Sequence, residues 1–354
     1  VEHILPVVFR KKGSSKSYEY MDLQVAFFQE IKLKVKDHMV IARLLCDILD
    51  IKLDSAYRRM RGETELTFRE LVKLSAHFNI SLDAVLCNKN LNGELTYRRF
   101  APDVTADYIP FLDYLSGMFE QALFSKEKEI ILTAQEIPTI HTMLFDKLAL
   151  FKLYVWYRNE PGNNPLTYDK FLLAMDSFLP QLYAYYNKVT GLYKRIPSVE
   201  IWSDKVLDPL LSLLEYHCEI YSFEDKAHAV EICRQLVQLV EKVESWSDHG
   251  YKEGEGESVA GFGMYRSTVD IQNNYTYISK EGADTVFIKM FSINGLFTDN
   301  EMIVDDTSKW IRNLISASQH LSGASARERL YFFNSLKSKV RRVLVKIEEN
   351  RYML

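Results

Sequence analysis

Apolar residues recur at helical spacing over most of the chain, and the pattern breaks at a few marked points. Leu23, Val25, Ala26, Phe27, Ile31, Leu33 and Val35 predict a helix over 22–35 with one buried face. Val40, Ile41, Leu44, Leu45, Ile48 and Leu49 predict a second over about 39–49, capped by Asp37 or His38. A short third helix follows, with Asp54 and Ser55 as N-cap candidates and Gly62 as its stop. A fourth runs from about Thr67 to Phe78, and Asn79-Ile80-Ser81 opens a fifth, Leu82 to Leu86.

The pattern then lapses. Asn88, Asn90, Asn92, Gly93 and Pro102 mark a connector over 89–107, in which 95–100 reads as an extended piece or a helical turn. Beyond it the spacing predicts a helix over 106–123 and a short strand over 129–136, stopped by Pro138. Helices are predicted at about 140–158, 167–187, 198–221 and 225–248, with a loop at 161–165 and breaks at Gly191 and Pro197. Gly250 to Gly263 reads as a mobile loop, and no Gly-Lys-Ser/Thr follows it to make a phosphate loop. Segments 267–271, 275–279 and 285–291 predict three short strands in a small antiparallel sheet. Helices at 307–321 and 326–349 complete the chain, with Asp305-Asp306 read as a loop-to-helix cap.

The 354 residues suffice for two or three domains, and the hydrophobic content of 47% is ordinary for a globular protein. The net charge of −4 exerts no global pull on nucleic acid or anionic membrane, so any such binding needs a local patch. No apolar run approaches the ~18 residues of a membrane span. Val1 to Phe9 precedes a basic run from Arg10 to Lys16, the reverse of a secretory signal. Residues 1–20 therefore read as a flexible leader, with Met21 a natural start for the folded part. Cys46, Cys87, Cys218 and Cys233 form no CxxC and read as free thiols of a reducing cytoplasm. His217, Cys218, His228 and Cys233 match no common zinc spacing, so no metal is expected. Neither a hydrolase, kinase or zincin motif nor a dinucleotide fingerprint appears, so neither an enzyme nor a cofactor is expected.

The one local patch lies in 51–62, where Lys52, Arg58, Arg59 and Arg61 oppose only Asp54, a net +3. A short basic helix held by a small apolar core is the layout of a DNA-reading helix. Residues from about 22 to 87 resemble the lambda-repressor-like (Cro/repressor, XRE-type) helix-turn-helix family. Cys46 falls where that family has a small alanine, Ile51 at its apolar turn position, and Ser55 to Arg58 on its groove-entering residues. Arg61-Gly62 matches the end of its Glu-Arg-Gly sequence, and Asn79 to Asp83 its approach to the fifth helix. The chain departs from the pattern at Ala42, where the family often has a phosphate-contacting glutamine, and at Met60, which replaces a frequent glutamate. Over 22–86 ten basic residues face ten acidic ones, so the domain as a whole is neutral.

The expected fold class is mainly α: a five-helix helix-turn-helix domain at 21–88, the linker, and a large helical region at 108–354 with a small antiparallel sheet near 267–291. The resemblance implies a cytoplasmic bacterial transcriptional regulator that binds double-stranded DNA through Lys52, Ser55, Tyr57, Arg58, Arg59 and Arg61. Two half-sites on DNA imply a homodimer joined through the C-terminal region. The alternative is a protein-interaction scaffold with a degenerate helix-turn-helix. Aromatic stretches at 145–157 and 183–193 predict a packed core. With the strands at 267–291 they are also where a pocket of ~300 Å³ or more for a small apolar or aromatic effector would form.

Overall fold

Ile41, Leu45 and Leu49 recur every fourth residue, and all three face a small core in a computed structural model of the chain. The structure describes residues 23–35, 38–78, 80, 95–98, 108–159, 163, 165–253, 260–281, 284–290 and 294–349. They form two units, one within 10–94 and one built chiefly of 95–354.

The first unit contains α1 (Leu23–Lys34), α2 (His38–Leu49), α3 (Leu53–Met60) and α4 (Phe68–Phe78). Phe27, Phe28 and Ile31 of α1 meet the α2 stripe, Ala56 and Met60 of α3, and Leu74 and Phe78 of α4. Asp50 turns the chain between α2 and α3 with a left-handed φ of 55°, a conformation a short polar side chain tolerates better than most. The N-cap of α3 is Lys52, without a side-chain cap bond, so Asp54 and Ser55 lie in the first turn rather than at the cap. Asp54 there complements the helix dipole instead. Gly62, at φ 77°, ends the segment as expected. Gln24 of α1 locks the chain after α3: its Nε2 donates to the carbonyls of Arg59 and Thr64, both at 2.8 Å, and its Oε1 accepts from Leu66 N at 2.7 Å. The expected fifth helix and the leader lie outside the described residues.

The second unit corrects the expected fold class. Its sheet is neither small nor purely antiparallel: among the described residues it is a mixed sheet of eight strands in the order β1-β7-β6-β5-β2-β3-β4-β8. The strands are β1 (Leu95–Arg98), β2 (Lys128–Ala134), β3 (Ser198–Trp202), β4 (Phe262–Arg266), β5 (Tyr275–Lys280), β6 (Thr285–Lys289), β7 (Gly295–Thr298) and the two-residue β8 (Gln319–His320). β2, β3 and β4 run parallel. β5, β6, β7 and β1 continue from β2 as antiparallel neighbours, and β8 pairs antiparallel with β4.

The helices are α5 (Ile109–Phe124), α6 (Thr139–Thr142), α7 (Asp146–Asn159), α8 (Tyr168–Met175), α9 (Leu179–Lys194), α10 (Asp208–Glu219), α11 (Lys226–His249), α12 (Glu301–Ala317) and α13 (Ala326–Glu348). Ile130, Leu132, Ala134, Trp202, Phe262 and Met264 send one face of the sheet into the large helical core. Ile131, Val199, Ile201, Tyr277 and Val286 pack the other face against Ile311 and Leu314 of α12. The unit is thus a sheet covered on both faces, which is how parallel strands are normally buried.

Three further expectations are corrected. Ser198–Trp202 is a strand, and helix begins only at Asp208. Residues 267–271 form no strand; the strand precedes them as β4, which begins at the end of the glycine-rich segment. α12 starts at Glu301, so Asp305 and Asp306 lie within it, paired with Lys309 at 2.6 and 3.7 Å.

Candidate functional site

Successive helical residues are rotated by about 100°, so burial of Ala56 and Met60 turns Asp54, Arg58 and Arg61 to the opposite side of α3. Lys52, Asp54, Arg58 and Arg61 are exposed, and Ser55 and Tyr57 flank them, half-buried. Arg59 does not share this face. Its guanidinium pairs with Glu70 of α4 at 2.9 Å, where both side chains are largely covered, and also donates to Ser55 O. Arg61 is held by Glu63 through Nε at 2.6 Å and Nη2 at 3.0 Å, and Arg58 stands 3.8 Å from the same carboxylate. The outward patch therefore holds Lys52, Arg58 and Arg61 against Asp54 and Glu63. Ala42, at the position of the family's glutamine, is fully buried in the core.

The second unit has a charged interior that no sequence pattern announced. β3 alternates so that Ser198, Glu200 and Trp202 face the helices, which places a carboxylate in the core. His141 Nε2 lies 2.8 Å from both oxygens of Glu200. The hydroxyl of Tyr193 and Nε1 of Trp202 donate to the same carboxylate. Burial pushes the Glu200 carboxyl up, but His141 and these hydrogen bonds more than reverse it, so it is held below the ordinary value. Lys252 is fully buried beside them: its Nζ lies 3.8 Å from the Tyr193 ring centre and donates to the carbonyls of Tyr193 and Ile196 and to Ser198 Oγ. Burial pushes its pKa down to about 7, with the Glu200 charge pulling the other way. Every one of these side chains is buried.

A cavity of about 90 Å³ lies between α5 and the sheet. Phe111, Leu115 and Phe119 of α5 face Leu132, Phe287 and Phe297 of the strands. Lys289, at the end of β6, and Asn274, before β5, supply polar groups near the edge where β2 ends. This is not the enclosure expected from the aromatic stretches. Of 183–193 Tyr193 lines it, and α7 is mostly buried core that borders a second cavity of about 50 Å³. The volume is also well short of the ~300 Å³ typical of pockets for drug-sized ligands.

Cys46, Cys218 and Cys233 are free thiols, and among the described residues no group of three or more His, Cys, Asp or Glu side chains converges as a metal site. Among the same residues no helix is long and apolar enough to cross a membrane. No protein-family model, curated protein or solved structure matches the chain.

Proposed function

We propose that the chain is a cytoplasmic bacterial DNA-binding transcriptional regulator in which α3 enters the major groove as the second helix of a lambda-repressor-like helix-turn-helix. The observation that carries this reading is the outward face of α3. Arg58 and Arg61 lie about one turn apart on it, opposite Ala56 and Met60, on a helix whose C-terminal end is clamped by Gln24. Rigid presentation of short-reach polar side chains is what groove reading requires. In this reading Lys52 and Arg61 neutralise phosphates, and Ser55, Tyr57 and Arg58 meet base edges or sugars. Arg59 is a strut that braces α3 on α4. Arg61 must leave Glu63 to reach a phosphate, an exposed pair whose loss costs little. A module of this size buries a modest surface on DNA, so the regulator acts as a homodimer on two half-sites.

Fluorescence anisotropy with a random-sequence duplex pool, followed by selected duplexes, tests the reading across a salt series. Affinity falls steeply with salt through counterion release, and replacing Arg58 and Arg61 together by Ala weakens binding by roughly tenfold or more. Affinity that ignores salt and both substitutions rejects the reading, and leaves a scaffold with a degenerate helix-turn-helix. Light scattering at micromolar concentration reports the dimer.

A further inference from the structure

We propose that the cavity beneath α5 binds a short aliphatic monocarboxylate, of about four to six carbons, with its chain among the aromatic walls and its carboxylate on Lys289. Three independent features point there.

The first is charge. Lys289 is the sole charged residue among the described side chains that line the cavity. Its ammonium contacts Glu136 Oε1, and the other oxygen of that carboxylate takes Lys152 Nζ at 3.3 Å. Two ammonium groups thus share one carboxylate, and all three side chains are between 14% and 21% exposed. One positive charge is left in excess where water screens it poorly. An ammonium has three donors, so Lys289, which lines the cavity, retains donors for a second carboxylate. A monoanion restores neutrality there, an alcohol leaves the excess, and an amine adds to it.

The second is rigidity. Asn274 fixes the loop that carries Glu136: its Oδ1 accepts from Gln135 N at 2.8 Å and Glu136 N at 3.1 Å, and its Nδ2 donates to Glu136 O at 2.8 Å. The backbone of Lys289 is tied to the same asparagine, its N donating to Asn274 O at 3.1 Å. The head-group site is therefore set before any ligand arrives, which limits the ordering cost of binding. It also lies beyond the C-terminal end of β2, where the neighbours change from parallel β3 to antiparallel β5. Open α/β sheets commonly bind ligands beyond the carboxyl ends of their strands.

The third is size. A dry cavity of about 150 Å³ accommodates benzene, so one of about 90 Å³ takes roughly four carbons in proportion. Acetate leaves the apolar walls empty, and a long fatty acid does not fit.

The proposal stands apart from DNA binding, and direct titration tests it without DNA. Isothermal titration of the full chain at pH 7 with acetate, butyrate, hexanoate and decanoate, and with butanol and butylamine, yields the profile. Butyrate or hexanoate binds about tenfold tighter than acetate, decanoate or either uncharged or cationic analogue. Lys289→Met removes that preference and Lys289→Arg keeps it. Leu115→Trp blocks the cavity with every charge in place, so it abolishes binding even if Lys289→Met fails to fold. Absence of saturable butyrate and hexanoate binding up to about 10 mM overturns the proposal. So does equal affinity for butanol, or undiminished binding by folded Leu115→Trp.

Discussion

His141 Nε2 sits 2.8 Å from each carboxylate oxygen of Glu200, and neither side chain reaches solvent. α6 supplies the histidine and the centre of β3 supplies the carboxylate, so one polar contact pins the crossover between β2 and β3 to the sheet.

Removing the carboxylate from a buried, hydrogen-bonded cluster leaves the groups around it uncompensated. Glu200→Gln keeps the shape but strands His141 and the nearby Lys252, and stability drops by about 3 kcal/mol in urea unfolding. The Glu200 carboxyl is held below the ordinary value in the folded chain. Its contribution is therefore complete above the ordinary carboxylate range and is lost as pH falls through the folded value. Acid unfolding of Glu200→Gln is correspondingly shallower than that of the parent; parallel acid profiles reject this account.

Lys252 gives a pH dependence at the opposite end. Its folded pKa of about 7 lies below the ordinary 10.5, so between these values the unfolded chain holds a proton that the folded chain has released. The lysine's contribution to stability then rises with pH across that interval. The stability of the parent relative to Lys252→Met grows from pH 7 to pH 9.5, measured as the difference between their denaturant midpoints. A difference that is flat or shrinks over that range contradicts the assignment.

Arg58 and Arg59 are adjacent in sequence and separable by experiment. Arg59 and Glu70 are 15% and 16% exposed and 2.9 Å apart, whereas Arg58 is 53% exposed. Arg59→Ala costs the first unit about 1–3 kcal/mol through the lost charge-assisted bonds. Arg58→Ala changes stability by under about 0.5 kcal/mol and acts on DNA affinity instead. Thermal unfolding of the two variants beside their DNA titrations checks the division. Equal stability of the pair would remove Arg59 from the role of strut.

Gly295 of β7 has no room for a side chain. A Cβ there would collide with the Phe287 ring and lie 2.8 Å from Ile288 O. Gly295→Ala displaces Phe287 toward the cavity it lines, at a cost of about 1–3 kcal/mol. Carboxylate binding and thermal stability fall together in this variant, and an unchanged melting temperature would mean that the strands part more easily than the register implies.

The two units differ in how much of them could be read in advance. α1 to α4 were legible because each is amphipathic and its core is local: the stripe on α2 and the pair Ala56 and Met60 carry period 3.6. Which arginine faces outward was not legible, because Arg58, Arg59 and Arg61 are chemically alike. Glu70, eleven residues beyond Arg59, turns that one inward through the packing of α4 on α3.

In the second unit the signal failed at the sheet. Parallel strands buried on both faces lose the alternation that marks a half-exposed strand. Ser198–Trp202 is buried at all five positions and carries a serine and a glutamate, so it read as the start of a helix. β4 was hidden by the glycine-rich segment that leads into it. Lys252 and Glu200 look like surface residues in any local window, and only the closing of helices over the sheet buries them.

The amino-acid sequence by itself determined the first four helices, the stop at Gly62, the β5–β6 hairpin and the long helices α11 and α13, because each is specified by neighbours within a few turns or strands. Tertiary structure decided the strand order, the burial of Glu200, His141 and Lys252, the inward turn of Arg59, and the meeting of Lys152, Glu136 and Lys289. These contacts join residues from 11 to more than 130 positions apart. A charge's neighbours at that range are set by how helices and strands pack, which no local periodicity encodes.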